Sequence, residues 1–318
     1  MSHEIETFVY RKEEGAPWHK LGTSWEGYLS PTEVRKLCQL DWEVEKSPNF
    51  YTYNDEVIYS GTDALIRNSD GYHLGNVSAD WQDVSNEKAF EFFDEYCLEG
   101  SMQMSTAGSL QHGRIVFALA KIDQSFELFK GNDKIDSYLL FTNPHKYGWS
   151  TSLSMNAIRV VCMNTLKLSL ATNAKDKIVR VTHRNEFDAE EVKQTLGIAR
   201  QKFETYKETA QFLAKKKAKQ FDVVEYFKDL FPVLKGDNTK STKELSKAAS
   251  TCLDVLDKQP GASFAGGTWW NAYNAVTFYT DHQAGRTVDS RMTSSWYGAH
   301  ATLKTKALTK AVKYAEAA

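Results

Sequence analysis

From Asp41 to about Val181 the apolar residues fall in short runs with the two-residue beat of strands. Trp42–Val44, Glu56–Tyr59, Ala64–Arg67 and Tyr72–Val77 are β-prone, and Asn54-Asp55 and Asp70-Gly71 punctuate them. Asp70-Gly71 predicts a hairpin turn, because both residues tolerate the positive φ that tight hairpins need. Met102, Met104 and Thr106 alternate with Gln103 and Ser105, which predicts a strand with one wet face. Ile115–Ile122 and Ser137–Asn143 are apolar on both parities and read as central strands covered on both sides. Turns rather than long crossover helices separate most of these runs, so the sheet should be antiparallel. One helix interrupts it: Ser85 can cap, Ala89, Phe92, Phe93 and Tyr96 form an apolar stripe, and Gly100 stops it.

Beyond Phe187 the beat changes. Asp188 followed by Glu191 is a capping pattern, and Val192, Leu196, Ala199, Phe203, Tyr206, Ala210 and Leu213 then recur at steps of four and three. That seam suits a long helix packing on another helix. Asp222–Phe231 is a second helix ended by Pro232, and 236–241 is a polar linker. Leu245, Ala249, Cys252 and Leu256 mark a third before Pro260-Gly261. Two more are predicted, near Trp269–Asp281 and from about Ser294 to Tyr314, the latter with Trp296, His300, Leu303 and Ala307 on one face. The fold class is α+β: an antiparallel twisted sheet with crossing helices, followed by a mostly helical C-terminal region. The expected division is a sheet domain at 1–186 and a helical region at 187–318.

Composition narrows the class. A hydrophobic content of 42% supplies a packed core, which argues against a mostly disordered chain. No apolar run approaches the roughly 18 residues a membrane-spanning helix needs. Glu4 and Glu6 stand where a signal peptide would be basic and then greasy. Cys38, Cys97, Cys162 and Cys252 form no CxxC pair, which points to a reducing cytoplasm and to neither a zinc cage nor a disulfide framework. The net charge of −2 hides an asymmetry: residues 1–100 hold 8 Lys+Arg against 20 Asp+Glu, leaving 31 against 21 for the rest. Such segregation suits an anionic partner for the later part, attraction between copies of the chain, or plain solvated faces.

Candidate chemistry centres on Thr142–Thr165. Ser150, Ser152 and Ser154 share one face of an extended segment, and at Asn156-Ala157 the phase slips, as at a bulge, which turns Arg159 to the polar side. Cys162 then opens a helix-like run through Leu166 and Leu170, so Arg159 beside a helix start would make a phosphate site. Lys146, Tyr147 and Trp149 interleave cation and ring, the combination that neutralises phosphates while bases stack. Residues 145–186 and 200–220 each carry seven Lys+Arg against two acidic groups, and Lys306, Lys310 and Lys313 line up on the last helix. An enzyme would instead use Cys162 as nucleophile, His145 as base and Asn143 or Asn164 as orienter. Yet no nucleophile-turn signature surrounds Cys162, and its apolar flank favours an inert, buried thiol. A metal site from His145, Cys162 and His282 lacks any HxxxH or HxH pair, and no GxxxxGK[ST] loop exists for nucleotide hydrolysis.

Several strings carry a family resemblance. APWHKLGT (Ala16–Thr23), DWEVEK (Asp41–Lys46), FEFFDE (Phe90–Glu95), TAGSL (Thr106–Leu110), IRVVCMNTL (Ile158–Leu166), NAVTFYTDH (Asn274–His282) and SWYGAHATLKTKAL (Ser295–Leu308) run in order along nearly the whole chain. Together they resemble the phage- and plasmid-borne family called domain of unknown function 932. The family usually has a small polar run where Pro144-His145-Lys146-Tyr147 stands, and a Gln at the position of Met163. The resemblance implies a mobile-element context and no settled activity. In outline, a sheet crossed by a helix and followed by a helical tail is also similar to single-strand annealing proteins of the RecT and Redβ type, which oligomerise around extended DNA.

The expected function is therefore a non-enzymatic, cytoplasmic single-stranded DNA-binding and annealing protein of phage or plasmid recombination. It would act as a homo-oligomer, with no cofactor, no metal and no membrane. Arg159, Lys146, Arg114 and Lys167 would neutralise phosphates, and Tyr147 and Trp149 would stack on bases. A cysteine-dependent enzyme on nucleic acid or nucleotide, and a phage-encoded factor acting on a host protein, are the alternatives.

Overall fold

Alternating and doubly apolar runs become strands, and the runs with helical spacing become helices. A computed structural model describes residues 7–14, 22–149, 151–160, 164–168, 189–233 and 245–317. Its strands are β1 (Phe8–Arg11), β2 (Thr23–Trp25), β3 (Val44–Tyr53), β4 (Glu56–Arg67), β5 (Tyr72–Ser78), β6 (Gln103–Leu110), β7 (Ile115–Leu128), β8 (Asp133–Pro144), β9 (Ser152–Arg159) and β10 (Asn164–Leu168). The helices are α1 (Pro31–Leu37), α2 (Asn86–Glu99), α3 (Ala189–Lys215), α4 (Gln220–Leu230), α5 (Lys247–Val255), α6 (Ala262–Ala265), α7 (Trp269–Phe278), α8 (Val288–Tyr297) and α9 (Ala299–Ala317). A π-helical turn, Tyr279–Gln283, extends α7.

Seven strands form one sheet in the order β10-β9-β8-β7-β6-β1-β2, and β3-β4-β5 form a second. The α+β class holds. The large sheet is mixed, because β1 pairs with β2 in parallel and with β6 antiparallel. Two compact units emerge: residues 1–123, 138–155 and 169–199 form one, and 124–137, 156–168 and 200–318 the other. Parts of β7, β8 and β9 thus cluster with the helices, so the spatial division is not a single cut near residue 187.

In the first unit, β7 lies between β6 and β8, and Ile115–Ala118 are completely buried, as their unbroken apolar pattern requires. β6 departs from its expected wet face. Its register shifts between Met104 and Thr106, and from Ala107 to Leu110 it is buried on both parities. α2 starts where Ser85 accepts from the Lys88 N–H and ends at Gly100. Its stripe packs Phe93 on Phe141 in a stack at 5.1 Å, with Phe90 edge-on to the same ring at 5.8 Å.

In the second unit, Phe203, Ala210 and Leu213 of the α3 seam are completely buried. They do not meet helices alone: Phe203 and Tyr206 pack on Phe126 of β7, and Tyr206 also lies 6.2 Å from Trp270 of α7. The helix expected from Ser294 to Tyr314 is broken at Gly298 into α8 and α9. The buried face of α9 consists of Lys304, Ala307, Ala311 and Ala315, so an ion-paired lysine takes the place expected for Leu303. Lys310 reaches Asp229, while Lys306 and Lys313 are exposed, so this row is an ordinary solvated face. The expected cap Asp188 and the linker at 236–241 lie outside the described residues.

Candidate nucleic-acid interface

The loop after β8 is held from beneath. The His145 N–H donates to the Arg114 carbonyl at 2.9 Å, and the His145 ring is completely buried, its centroid 5.1 Å from that of Trp42. Its Nδ1 lies 2.8 Å from Asp83 Oδ1 and its Nε2 3.0 Å from Asn86 Oδ1. Asn143 Nδ2 donates to the Val84 carbonyl at 3.0 Å and to Asn86 Oδ1 at 3.2 Å, and Thr151 donates to Asn143 Oδ1 at 2.6 Å. Both ring nitrogens of His145 are therefore occupied by scaffold. It is a strut for the loop, not the exposed base of the enzyme alternative, and Asn143 is committed to the same network.

Above this strut the chain turns outward. Gly148 has φ +78°, where a side chain would be strained, and Tyr147 is 69% exposed. Lys146 Nζ sits 4.6 Å from the centroid of the half-buried Trp149 ring. The turn from β6 to β7 passes through three consecutive left-handed residues, Gln111, His112 and Gly113, and delivers Arg114 beside this loop. The Arg114 guanidinium donates to the carbonyls of Leu74 and His73 and lies 5.9 Å from the Tyr72 ring. Arg67, paired with Asp70, covers the same ring at 5.3 Å, and His112 lies beside it at 5.5 Å.

Electrostatics set this cluster apart. Burial holds the Lys146 ammonium below its ordinary range, and the positive charge of Arg114 lowers it further. Among the described residues neither cation has a carboxylate partner within ion-pair distance. Two adjacent positive charges that no carboxylate among the described residues pairs with favour an anion, and the rings of Tyr147, Trp149 and Tyr72 supply flat surfaces next to it. Tyr72, His112 and Arg67 were not among the candidates. Their one signal was position, since Tyr72 directly follows the Asp70-Gly71 turn.

Arg159 belongs to the second unit. The expectation was a surface phosphate ligand at a helix start, and the second unit contradicts it twice. The strand β9 runs through Asn156-Ala157 to Arg159, and the next described element is β10, where a helix was expected from Cys162 onward. Arg159 itself is 3% exposed. Its Nε and Nη2 grip Asp133 at 2.7 and 2.8 Å, and its Nη1 donates to the Pro260 carbonyl at 3.1 Å. Trp270 Nε1 adds a 2.8 Å bond to Asp133 Oδ2. A guanidinium enclosed this way holds the unit together and offers no donor to a ligand. Ser152 and Ser154 share its fate, half-buried and buried rather than aligned on a wet face. Cys162 and Ser150 lie outside the described residues; Asn164 and Lys167 are placed on β10, with side chains outside the description.

The described cysteines sharpen the enzyme question. Burial pushes the Cys38 thiol up to about 12, and it also raises Cys97 and Cys252 far above the range in which a thiolate forms at neutral pH. A thiol reagent at pH 7.5 should therefore leave these three unmodified in the folded protein and reach all four cysteines only in denaturant. A Cys162→Ser variant identifies any thiol that does react. Rapid native labelling that survives this substitution would overturn the assignment of the other three as inert.

Among the described residues no helix is long and apolar enough to cross a membrane. No group of three or more His, Cys, Asp or Glu side chains among them is placed to hold a metal ion. No curated protein and no solved structure matches the chain significantly. The family model described as "Domain of unknown function (DUF932)" matches residues 73–297, which include the Arg114–Lys146 cluster and the Arg159–Asp133 pair. A match over more than two thirds of the sequence means that the chain belongs to the family of domain of unknown function 932.

Proposed function

We propose that this protein is a non-enzymatic, cytoplasmic single-stranded DNA-binding and annealing protein of phage or plasmid recombination, working as a homo-oligomer. The observation that carries the reading is the pair Arg114 and Lys146, without a carboxylate partner among the described residues and flanked by Tyr147, Trp149 and Tyr72. The cations would take consecutive phosphates while the rings stack on bases. Stacking needs no particular base, which suits a protein that holds one strand for pairing with any complement. No nucleotide hydrolysis enters this mechanism. Arg159 has no part in it.

Fluorescence anisotropy of a labelled oligothymidylate, titrated between 50 and 200 mM salt, tests the reading. Affinity should fall as salt rises, because each phosphate contact on a single strand contributes about 0.7 to the log–log slope. Replacing Arg114 and Lys146 together by Gln should flatten that slope by about 1.4. Tyr147→Ala should weaken binding by about 1–3 kcal/mol for a stacked base, or roughly 5- to 150-fold. Salt-independent binding, or affinity unchanged in the double variant, would overturn the site. A parallel assay of two complementary labelled strands, without added nucleotide, reads annealing itself.

A further inference from the structure

The exposed half of the β3–β4 hairpin has no use in the interface above. The two strands pair from Val44↔Arg67 to Tyr53↔Glu56 and close on Asn54-Asp55, both left-handed (φ 49° and 62°), the two-residue turn that suits twisted hairpins. β5 pairs with β4 only from Thr62 to Arg67, so the distal part runs on as a two-stranded ribbon. On it Phe50, Tyr51, Tyr53, Val57 and Tyr59 are 58, 52, 64, 71 and 41% exposed. The register puts Phe50 beside Tyr59, ring centroids 5.9 Å apart, and Thr52 beside Val57 on one face; Tyr51 with Ile58 and Tyr53 with Glu56 take the other. A solvated ribbon keeps at least one polar face, and two strands alone are marginal in water. Apolar groups on both faces are the pattern of an arm that a partner encloses. Among the described residues β3 is also an edge strand of its sheet.

Charge selects the partner. Residues 45–63 carry Glu45, Asp55, Glu56 and Asp63 against the single Lys46, which already pairs with Asp63 at 3.3 Å. Such an arm repels a polynucleotide and repels its own twin. It fits a basic surface with apolar content, and the second unit carries one at the corner between α3 and α4. Residues 209–221 hold Lys215, Lys216, Lys217 and Lys219 and no acidic residue. Phe221 there is 73% exposed, and Lys216 lies 5.4 Å from the Phe212 ring. We propose that the ribbon at 48–61 of one copy docks on the Phe212–Phe221 corner of a second copy. The contact joins different surfaces of the two copies, so it repeats head to tail and builds rings or filaments. This inference rests on the reading of the protein as a homo-oligomer and names the surfaces that would make it one.

Sedimentation velocity in the absence of nucleic acid tests it across a range of concentrations. Wild type should sediment as a species larger than 36.1 kDa, and added salt should weaken it. Asp55→Lys with Glu56→Lys makes both docking surfaces basic, and Lys215→Glu, Lys217→Glu and Lys219→Glu together make both acidic; all five positions are exposed, and circular dichroism checks the fold. Each reversed variant alone should be monomeric, and an equal mixture of the two should assemble again, since every contact is then complementary. Tyr53→Ser with Val57→Ser should also be monomeric. A wild type that stays monomeric, a mixture of folded variants that fails to assemble, or reversed variants that assemble alone would each overturn the docking. Oligonucleotide anisotropy on the wild type, beside its sedimentation, keeps the two ideas apart: binding without assembly sinks only the docking, and assembly without binding sinks only the DNA reading.

Discussion

Asp133→Ala is expected to lower the free energy of unfolding by about 3–5 kcal/mol, the cost of stranding a buried charge. Arg159 would lose its carboxylate while its bond to the Pro260 carbonyl remained, inside a site where Asp133 is completely buried and Arg159 3% exposed. Trp270 would lose its acceptor at the same time. The second unit has no easy way to relax, because the Pro260-Gly261 turn lies against the guanidinium. Gly261 has φ +82°, and a Cβ there would stand 2.5 Å from Arg159 Nη2. Replacing both charged partners by apolar residues of similar volume, Asp133→Leu with Arg159→Met, should cost much less than Asp133→Ala alone. Urea denaturation of the three proteins measures this. Equal loss in the single and double variants would show that packing, not the charge pair, sets the stability here. The same series tests function, because neither Asp133 nor Arg159 is among the residues proposed to meet DNA: oligonucleotide affinity of the folded variants should be unchanged.

The second large effect is expected at Asp281, whose carboxylate pairs with the completely buried Lys304. Lys304 Nζ donates to Asp281 Oδ1 at 2.7 Å, as does Ser295 Oγ, also at 2.7 Å. Burial holds the Lys304 ammonium below its ordinary value of 10.5, and Asp281 pulls it part of the way back. Asp281→Ala should cost about 3–5 kcal/mol at neutral pH, because the ammonium remains buried without its carboxylate. The pH dependence gives a sharper test. With Asp281 removed, the folded-state value for Lys304 falls further below that of the unfolded chain, so the unfolded state binds more protons across the window up to 10.5. Stability of the variant should therefore rise with pH through that window, more steeply than in wild type. Adding Lys304→Met to the variant should abolish the rise. A profile parallel to wild type, measured by urea unfolding between pH 7 and 10, would mean that Lys304 does not depend on Asp281.

Much of the fold was legible because its cause is local. Ile115–Ile122 and Ser137–Asn143 are apolar on both parities, and only a central strand buries both faces. The α3 seam could be read residue by residue from Leu196 to Leu213, since helical spacing leaves few other places for those side chains. Local cues also failed where two structures share one pattern. A short apolar run such as Asn164–Leu168 suits a strand or a helix, and pairing beside β9 decided for the strand. Gly298 was a single residue inside a helical pattern, yet it separates α8 from α9. The ribbon of β3 and β4 was read only in fragments, because its exposed aromatics break the apolar–polar alternation that marks a half-buried strand.

The candidate site divides along the same line. Lys146, Tyr147 and Trp149 are adjacent in the chain, so their joint presentation was readable; Arg114 joins them because the β6–β7 turn brings it there. Arg159 looked equally available, being a cation in a polar-looking segment. Its fate depended on Asp133, 26 residues away, and on Trp270, 137 residues from that aspartate. Residue order alone therefore determined the central strands and the long helix seam, and that charge is segregated along the chain, because backbone preference and hydrophobic spacing act over a few residues. Which cations are enclosed and which face water was decided only by tertiary structure, since a charge leaves water only where distant segments supply the partners that offset its lost hydration.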